Sequence, residues 1–190
     1  DLDRVLASTS FVVDTRTGAE VFRVNPFASS FTGGLSAAAG DLTGDGVLDL
    51  VVGASAGGGP AVAVIDGATG AVLRTFFAYA ADFTGGVNVA VADVTGDGRA
   101  DIVTAPASDG GPHVRVFDGA TGGEVAGFFA YAPTVVGGVT LAAGDLTGDG
   151  RAEVVTVPSA GFAPHVRVWQ IADGTATDIG GFFAFDPSFT

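Results

Sequence analysis

Asp93-Val94-Thr95-Gly96-Asp97-Gly98-Arg99-Ala100-Asp101 is one of three copies of D-x-T-G-D-G-x-x-[D/E]; the others run from Asp41 to Asp49 and from Asp145 to Glu153. Each copy begins 52 residues after the one before. A fixed period near 50 marks repeated supersecondary units, stacked or arranged radially. Oxygen side chains at positions 1, 3, 5 and 9 of a glycine-rich loop suit a hard cation, Ca²⁺ above all. An Asp-Gly turn needs no metal, but carboxylates this close repel one another unless a cation joins them. Three copies in register favour the cation.

The period extends beyond the loop. Pro60, Pro112 and Pro164 share it, as do Gly33, Gly85 and Gly137, and Asp14, Asp66 and Asp118. Phe76-Phe77-Ala78-Tyr79 returns as Phe128-Phe129-Ala130-Tyr131, then as Phe182-Phe183-Ala184-Phe185, displaced by two residues. The shift places a two-residue insertion in a loop around 171–177. The chain therefore divides into a partial unit (1–34) and three full units (35–86, 87–138 and 139–190), read together as a single domain, 1–190.

Within a unit the hydrophobic period is 2, as in strands. Val87, Val89 and Val91 alternate with Asn88, Ala90 and Ala92. The second full unit predicts strands at Val87–Ala92, Ala100–Ala105, His113–Phe117 and Glu124–Tyr131, the last two joined by Asp118-Gly119-Ala120-Thr121-Gly122. Four short strands per repeat of about 50 residues is the pattern of a β-propeller blade. The fold class is all-β: three full blades and one partial N-terminal blade. In the partial unit, Asp3–Ala7, Phe11–Asp14 and Ala19–Phe27 match the second, third and fourth strands, and the first is missing.

Eight Arg and no Lys face 21 acids, for a net charge of −13. Such a surface repels nucleic acid and anionic membranes. Nine of the acids lie in the three loops, and one Ca²⁺ per loop would bring the net charge to about −7. No apolar run reaches the 18 residues of a membrane span. There is no Cys and no Met, so disulfides are excluded and Asp1 is not a translation start. The chain is expected to be a processed product or a part of something longer. Weak Ca²⁺ loops favour a location where Ca²⁺ is millimolar, outside the cell.

The acidic loop follows a Gly-Gly-Val-x-Val-Ala strand and precedes Gly-Gly-Pro-His-Val-Arg-Val-Phe-Asp-Gly. This combination resembles the FG-GAP/VCBS repeats, which form the blades of the integrin α-subunit head and of many secreted bacterial proteins. The resemblance implies propeller blades with Ca²⁺ between the first and second strands. Carried over position by position, the ligands of the first loop are Asp41, Thr43, Asp45 and Asp49 by side chain and Val47 by its carbonyl. Those of the second are Asp93, Thr95, Asp97, Asp101 and the Arg99 carbonyl. Those of the third are Asp145, Thr147, Asp149, Glu153 and the Arg151 carbonyl. The family prefers Asp or Asn at position 3, and Thr here is a weaker, neutral ligand.

An EF-hand is excluded, because position 12 is Val52, Thr104 or Thr156 rather than Glu. His113 and His165 share a repeat position that Ala61 fills in the first full unit. They read as strand-face residues beside Arg115 and Arg167. No nucleophile–His–Asp constellation stands out. The Phe-Phe-Ala-Tyr segments could stack sugars, but recurrence in every unit favours packing between units, as for Trp169. Gly57-Gly58-Gly59-Pro60 lacks the Lys of a phosphate cradle.

The expected function is a non-enzymatic, extracellular, Ca²⁺-stabilised structural or adhesive module that self-associates as a homo-oligomer or head-to-tail fibre. Cell-surface protein or carbohydrate is the other expected partner. The rival is an accessory or carbohydrate-binding module of a larger secreted polysaccharide-active enzyme.

Overall fold

The computed structural model describes residues 10–14, 16–28, 30–159 and 161–188. They form fourteen strands and, among the described residues, no helix. β1 (Ser10–Val13) and β2 (Glu20–Val24) make a hairpin. β3 (Leu35–Gly40), β4 (Asp49–Ala54), β5 (Ala61–Ile65) and β6 (Val72–Phe77) form the first four-stranded sheet. β7 (Val87–Ala92), β8 (Asp101–Pro106), β9 (His113–Phe117) and β10 (Glu124–Phe129) form the second. β11 (Val139–Gly144), β12 (Glu153–Pro158), β13 (His165–Ala172) and β14 (Thr175–Phe183) form the third. Every sheet is an antiparallel meander in sequence order. The expected strand Asp3–Ala7 lies outside the described residues.

The sheets pack face to face, and the core lies between them. Leu42, Val51, Val62 and Val64 of the first sheet bury against Val87, Val89, Ile102 and Phe117 of the second. Val103, Val114 and Val116 of the second bury against Val154, Trp169 and Ile171 of the third. Phe22 and Val24 of the hairpin cover Val52, Ala63 and Ile65. Each fully buried Val or Ile contributes about 1.5–3 kcal/mol. The most enclosed strand is β8, buried throughout, because it lies between the first and third sheets. Gly53 is required there: a Cβ on it would lie 2.4 Å from the Val87 carbonyl oxygen.

Several strand limits differ from expectation: β8 is Asp101–Pro106 rather than Ala100–Ala105, β1 is Ser10–Val13 rather than Phe11–Asp14, and β2 is Glu20–Val24 rather than Ala19–Phe27. β10 stops at Phe129 rather than Tyr131. Ala130 makes one more bond, to the Pro112 carbonyl at 2.9 Å, after which Tyr131 turns toward the next sheet. The insertion expected in a loop around 171–177 is not a loop. The extra residues lengthen β13 and β14, and Asp173-Gly174 closes the hairpin with φ of 48° and 75°. Two central residues at positive φ match the twist of the paired strands, so a tight hairpin replaces the six-residue connections 66–71 and 118–123 of the other two four-stranded sheets.

Candidate cation-binding loops

Each acidic loop joins the first and second strands of a sheet: 41–48 between β3 and β4, 93–100 between β7 and β8, and 145–152 between β11 and β12. Two glycines per loop, at positions 4 and 6, take positive φ (79° and 84° at Gly44 and Gly46). The chain can then curl around the first carboxylate. Asp41 accepts the Gly44 N–H at 2.6 Å and the Gly46 N–H at 2.9 Å. Asp93 and Asp145 do the same in their own loops. The Gly46 N–H, followed by other loop donors, holds the Asp41 carboxyl below the usual carboxylate range. At position 5, Asp45, Asp97 and Asp149 accept the N–H groups of Val47, Arg99 and Arg151 at 2.8, 2.9 and 2.9 Å.

The position 9 acids differ from the rest. Asp49, Asp101 and Glu153 are no more than 1% exposed. Asp49 accepts the Leu42 and Thr43 N–H groups at 2.9 and 3.0 Å, and on its other oxygen the N–H of Gly67 in the β5–β6 turn at 3.1 Å. A glycine is needed at that turn, since a Cβ on Gly67 would meet the Leu48 carbonyl at 1.8 Å. The third loop solves the same problem differently. Ile171 stands where Gly119 stands in the second sheet, and the longer Glu153 reaches Thr147 Oγ1 at 3.3 Å as well as the N–H groups of Leu146 and Thr147. The exchange of Gly for Ile and of Asp for Glu was visible in the aligned repeats; the bond from the Gly67 N–H to Asp49, which joins these two positions in the first sheet, was not.

Position 3 meets position 1 in the first loop (Thr43 Oγ1 to Asp41 at 3.5 Å) and position 9 in the third. Among the described residues, no three acidic or histidine side chains form a cluster able to hold a metal, because each carboxylate is turned onto backbone N–H groups. The donor set nevertheless suits a hard cation, being oxygen throughout. In the second loop Thr95 Oγ1 and Asp101 Oδ1 are buried without a hydrogen-bond partner. Desolvation, and to a smaller extent the Asp97 charge, raises the Asp101 carboxyl above its usual range. A buried polar atom left unpaired costs about 1–3 kcal/mol, and a cation between Thr95 and the acids would offset that cost.

His113 lies stacked on Phe129 with ring centroids 4.8 Å apart, and His165 on Phe183 at 4.5 Å. Each also meets the tyrosine of the preceding sheet edge-on. They are strand-face rings rather than part of the acidic loops. The Phe-Phe-Ala-Tyr segments divide by position. The first Phe packs between sheets, Phe76 on Phe117 and Phe128 on Trp169. The second, Phe77, Phe129 or Phe183, is exposed. Where Ala61 replaces the histidine, a cleft of about 870 Å³ opens, lined by Phe27, Phe31, Phe77, Ser30 and Thr32 among others and, among the described residues, by no charged side chain.

Residues 33–73 match the FG-GAP repeat and residues 93–156 the FG-GAP-like repeat, together more than half of the chain. No curated protein sequence gives a significant match. Among solved structures the chain is similar to a Bacillus licheniformis rhamnogalacturonan lyase PL11, with 18% identity, a TM-score of 0.60, and 80% of this chain and 34% of that one covered. It is also similar to the rhamnogalacturonan lyase YesW (16%, 0.60, covering 94% and 37%) and the exotype rhamnogalacturonan lyase YesX (17%, 0.58, covering 96% and 37%). The chain thus spans about a third of the length of these structures. The in-register loops, the four-stranded meanders and the two repeat matches agree, and this chain is an FG-GAP repeat protein.

Proposed function

We propose that the three sheets are blades of one propeller-type domain, 1–190, that serves as a non-catalytic module of an extracellular, polysaccharide-active protein. In this reading each loop holds one Ca²⁺ through the residues at positions 1, 3, 5 and 9 and the carbonyl of Val47, Arg99 or Arg151. Bound there, Ca²⁺ supplies charge neutralisation. The loop residues themselves fix the crossing from first to second strand, and the buried position 9 acid ties it to the backbone. The observation that carries the module reading is the extent of the fold likeness: 94–96% of this chain overlays on about a third of two rhamnogalacturonan lyases. The aromatic cleft beside Ala61 supports a saccharide contact, since sugar C–H faces stack on aromatic rings and the hydroxyls of Ser30 and Thr32 can pair with sugar hydroxyls. The test is affinity electrophoresis of the purified chain in gels containing rhamnogalacturonan, with a parallel assay for new chain ends. Retardation without cleavage is expected. Cleavage by the chain alone would overturn the non-catalytic reading, and absence of retardation the saccharide contact.

A second reading, self-association in a structural or adhesive role, is favoured by one face. Leu42 and Val94 at loop position 2 are buried by the following sheet, whereas Leu146 is exposed. Phe182 and Phe185, which correspond to the covered Phe128 and Tyr131, are 60% and 65% exposed. A further sheet, from a second copy or from a longer chain, would cover them.

A further inference from the structure

The three acidic loops touch one another through the backbone. The Ala100 N–H, at position 8 of the second loop, donates to the Asp41 carbonyl, at position 1 of the first, at 3.0 Å. The Ala152 N–H donates to the Asp93 carbonyl in the same way at 2.7 Å. Both alanines are buried, so water does not compete for these bonds. Ala100 N–H belongs to the same peptide unit as the Arg99 carbonyl, and Ala152 N–H to that of the Arg151 carbonyl. These two carbonyls are the main-chain ligands assigned above to the second and third loops. One rigid plane therefore carries a ligand of one loop on its oxygen and is anchored by the neighbouring loop on its nitrogen.

We infer that the loops act as a coupled row, in which loading of each cation site strengthens its immediate neighbours through the peptides 99–100 and 151–152. Two effects carry the coupling. A cation drawing on the Arg99 carbonyl polarises that peptide and makes its N–H a better donor to Asp41. Ordering of the first loop in turn fixes the Asp41 carbonyl, and with it the plane of peptide 99–100, before the second site is filled. Coupling between sites is reciprocal by linkage, so the effect runs both ways along the row and weakens with each step. The second loop, bonded on both sides, is the centre.

This inference rests on the cation reading of the loops, and the experiment separates the two. The amides of Gly46, Gly98 and Gly150 report the three loops individually by NMR during Ca²⁺ titration. Asp97→Asn, which keeps an acceptor for the Arg99 N–H, should weaken the first and third sites by about five-fold or more, the lower range of typical allosteric coupling. Asp149→Asn should weaken the second site by as much and the first by less. In the wild-type chain, hydrogen exchange at Ala100 and Ala152 should slow as Ca²⁺ is added, a reading that does not depend on either variant folding. If the remaining sites keep wild-type affinity in both variants, the coupling is overturned while the cation reading stands. If none of the three glycine amides responds to Ca²⁺, both fall.

Discussion

The hydroxyl of Tyr131 donates to the carbonyl of His165, one sheet further along the chain, at 2.8 Å. The same atom lies 2.7 Å from the Thr156 carbonyl. Arg167 reaches back from the later sheet to the carbonyl of Ala130, beside Tyr131, and pairs with Asp178. Tyr79, His113, Arg115, Ala78 and Glu124 repeat the arrangement one sheet earlier. At the junction of the hairpin with the first sheet, Phe27 stands at the tyrosine position and Ala63 at the arginine position, so both halves of the tie are absent together. Tyr131→Phe should therefore lower stability by about 1 kcal/mol, the loss of a partly buried donor whose acceptors remain. Urea unfolding should show a lower midpoint with unchanged slope.

Burial is the main reason that the Tyr131 hydroxyl is pushed up to about 12 from an ordinary 10, with Thr156 opposing it. A group whose folded pKa is raised contributes stability that is complete below the unfolded pKa and lost as pH rises toward the folded one. Thermal melts should thus fall between pH of about 10 and about 12, and Tyr131→Phe should flatten part of that decline. An equal slope in the variant would place the alkaline loss elsewhere.

Millimolar Ca²⁺ should raise the melting temperature. At ten times the Kd, linkage gives about 1.4 kcal/mol per site. Asp97→Ala should remove more of this gain than Thr95→Ala, since a carboxylate outweighs a neutral hydroxyl, and replacement of His113 and His165 together by Gln should leave Ca²⁺ binding in place. A melting temperature indifferent to a chelator would reduce the loops to ordinary turns.

Arg99 lays its guanidinium over the first loop, where a Cβ on Gly44 would lie 3.3 Å from its central carbon. Arg151 covers Gly96 in the same manner, whereas Gly148 has nothing within 4 Å. A cation placed beside a cation site opposes loading. Arg99→Gln should tighten Ca²⁺ binding in the first loop by up to about five-fold, equivalent to about 1 kcal/mol for an exposed charge. The gain should vanish at high salt, as calorimetry in 0.05 and 1 M NaCl would show.

Phe182 and Phe185 leave an apolar face open at the third sheet. If copies pair there, Phe182→Asp should lower the scattering mass in Ca²⁺ without changing the melting temperature of the monomer. A wild-type chain that stays monomeric at high concentration would remove the self-association reading.

Much of this was legible in one dimension because the molecule is a repeat. The 52-residue spacing of Asp41, Asp93 and Asp145 gave the number of full units, and the alternation in Val87–Ala92 gave strands, since period 2 is a local property of an extended chain. The strands β7 and β9 fell where expected. The ends of β10 and the hairpin at Asp173-Gly174 did not, because where a strand stops depends on what the next residue can bond. Tyr131 leaves β10 for a partner 34 residues away.

The sequence by itself determined the unit, its strand order and the oxygen-rich loop between first and second strands, all consequences of residues close together in the chain. Tertiary structure alone decided what each repeated residue does. It turned the position 9 acids inward onto backbone N–H groups, packed Phe76 and Phe128 between sheets while exposing Phe77 and Phe129, and set Ala100 against Asp41. Identical residues in successive units meet different neighbours, and burial and hydrogen bonding across sheets are set by the packing of whole sheets, which no local pattern encodes.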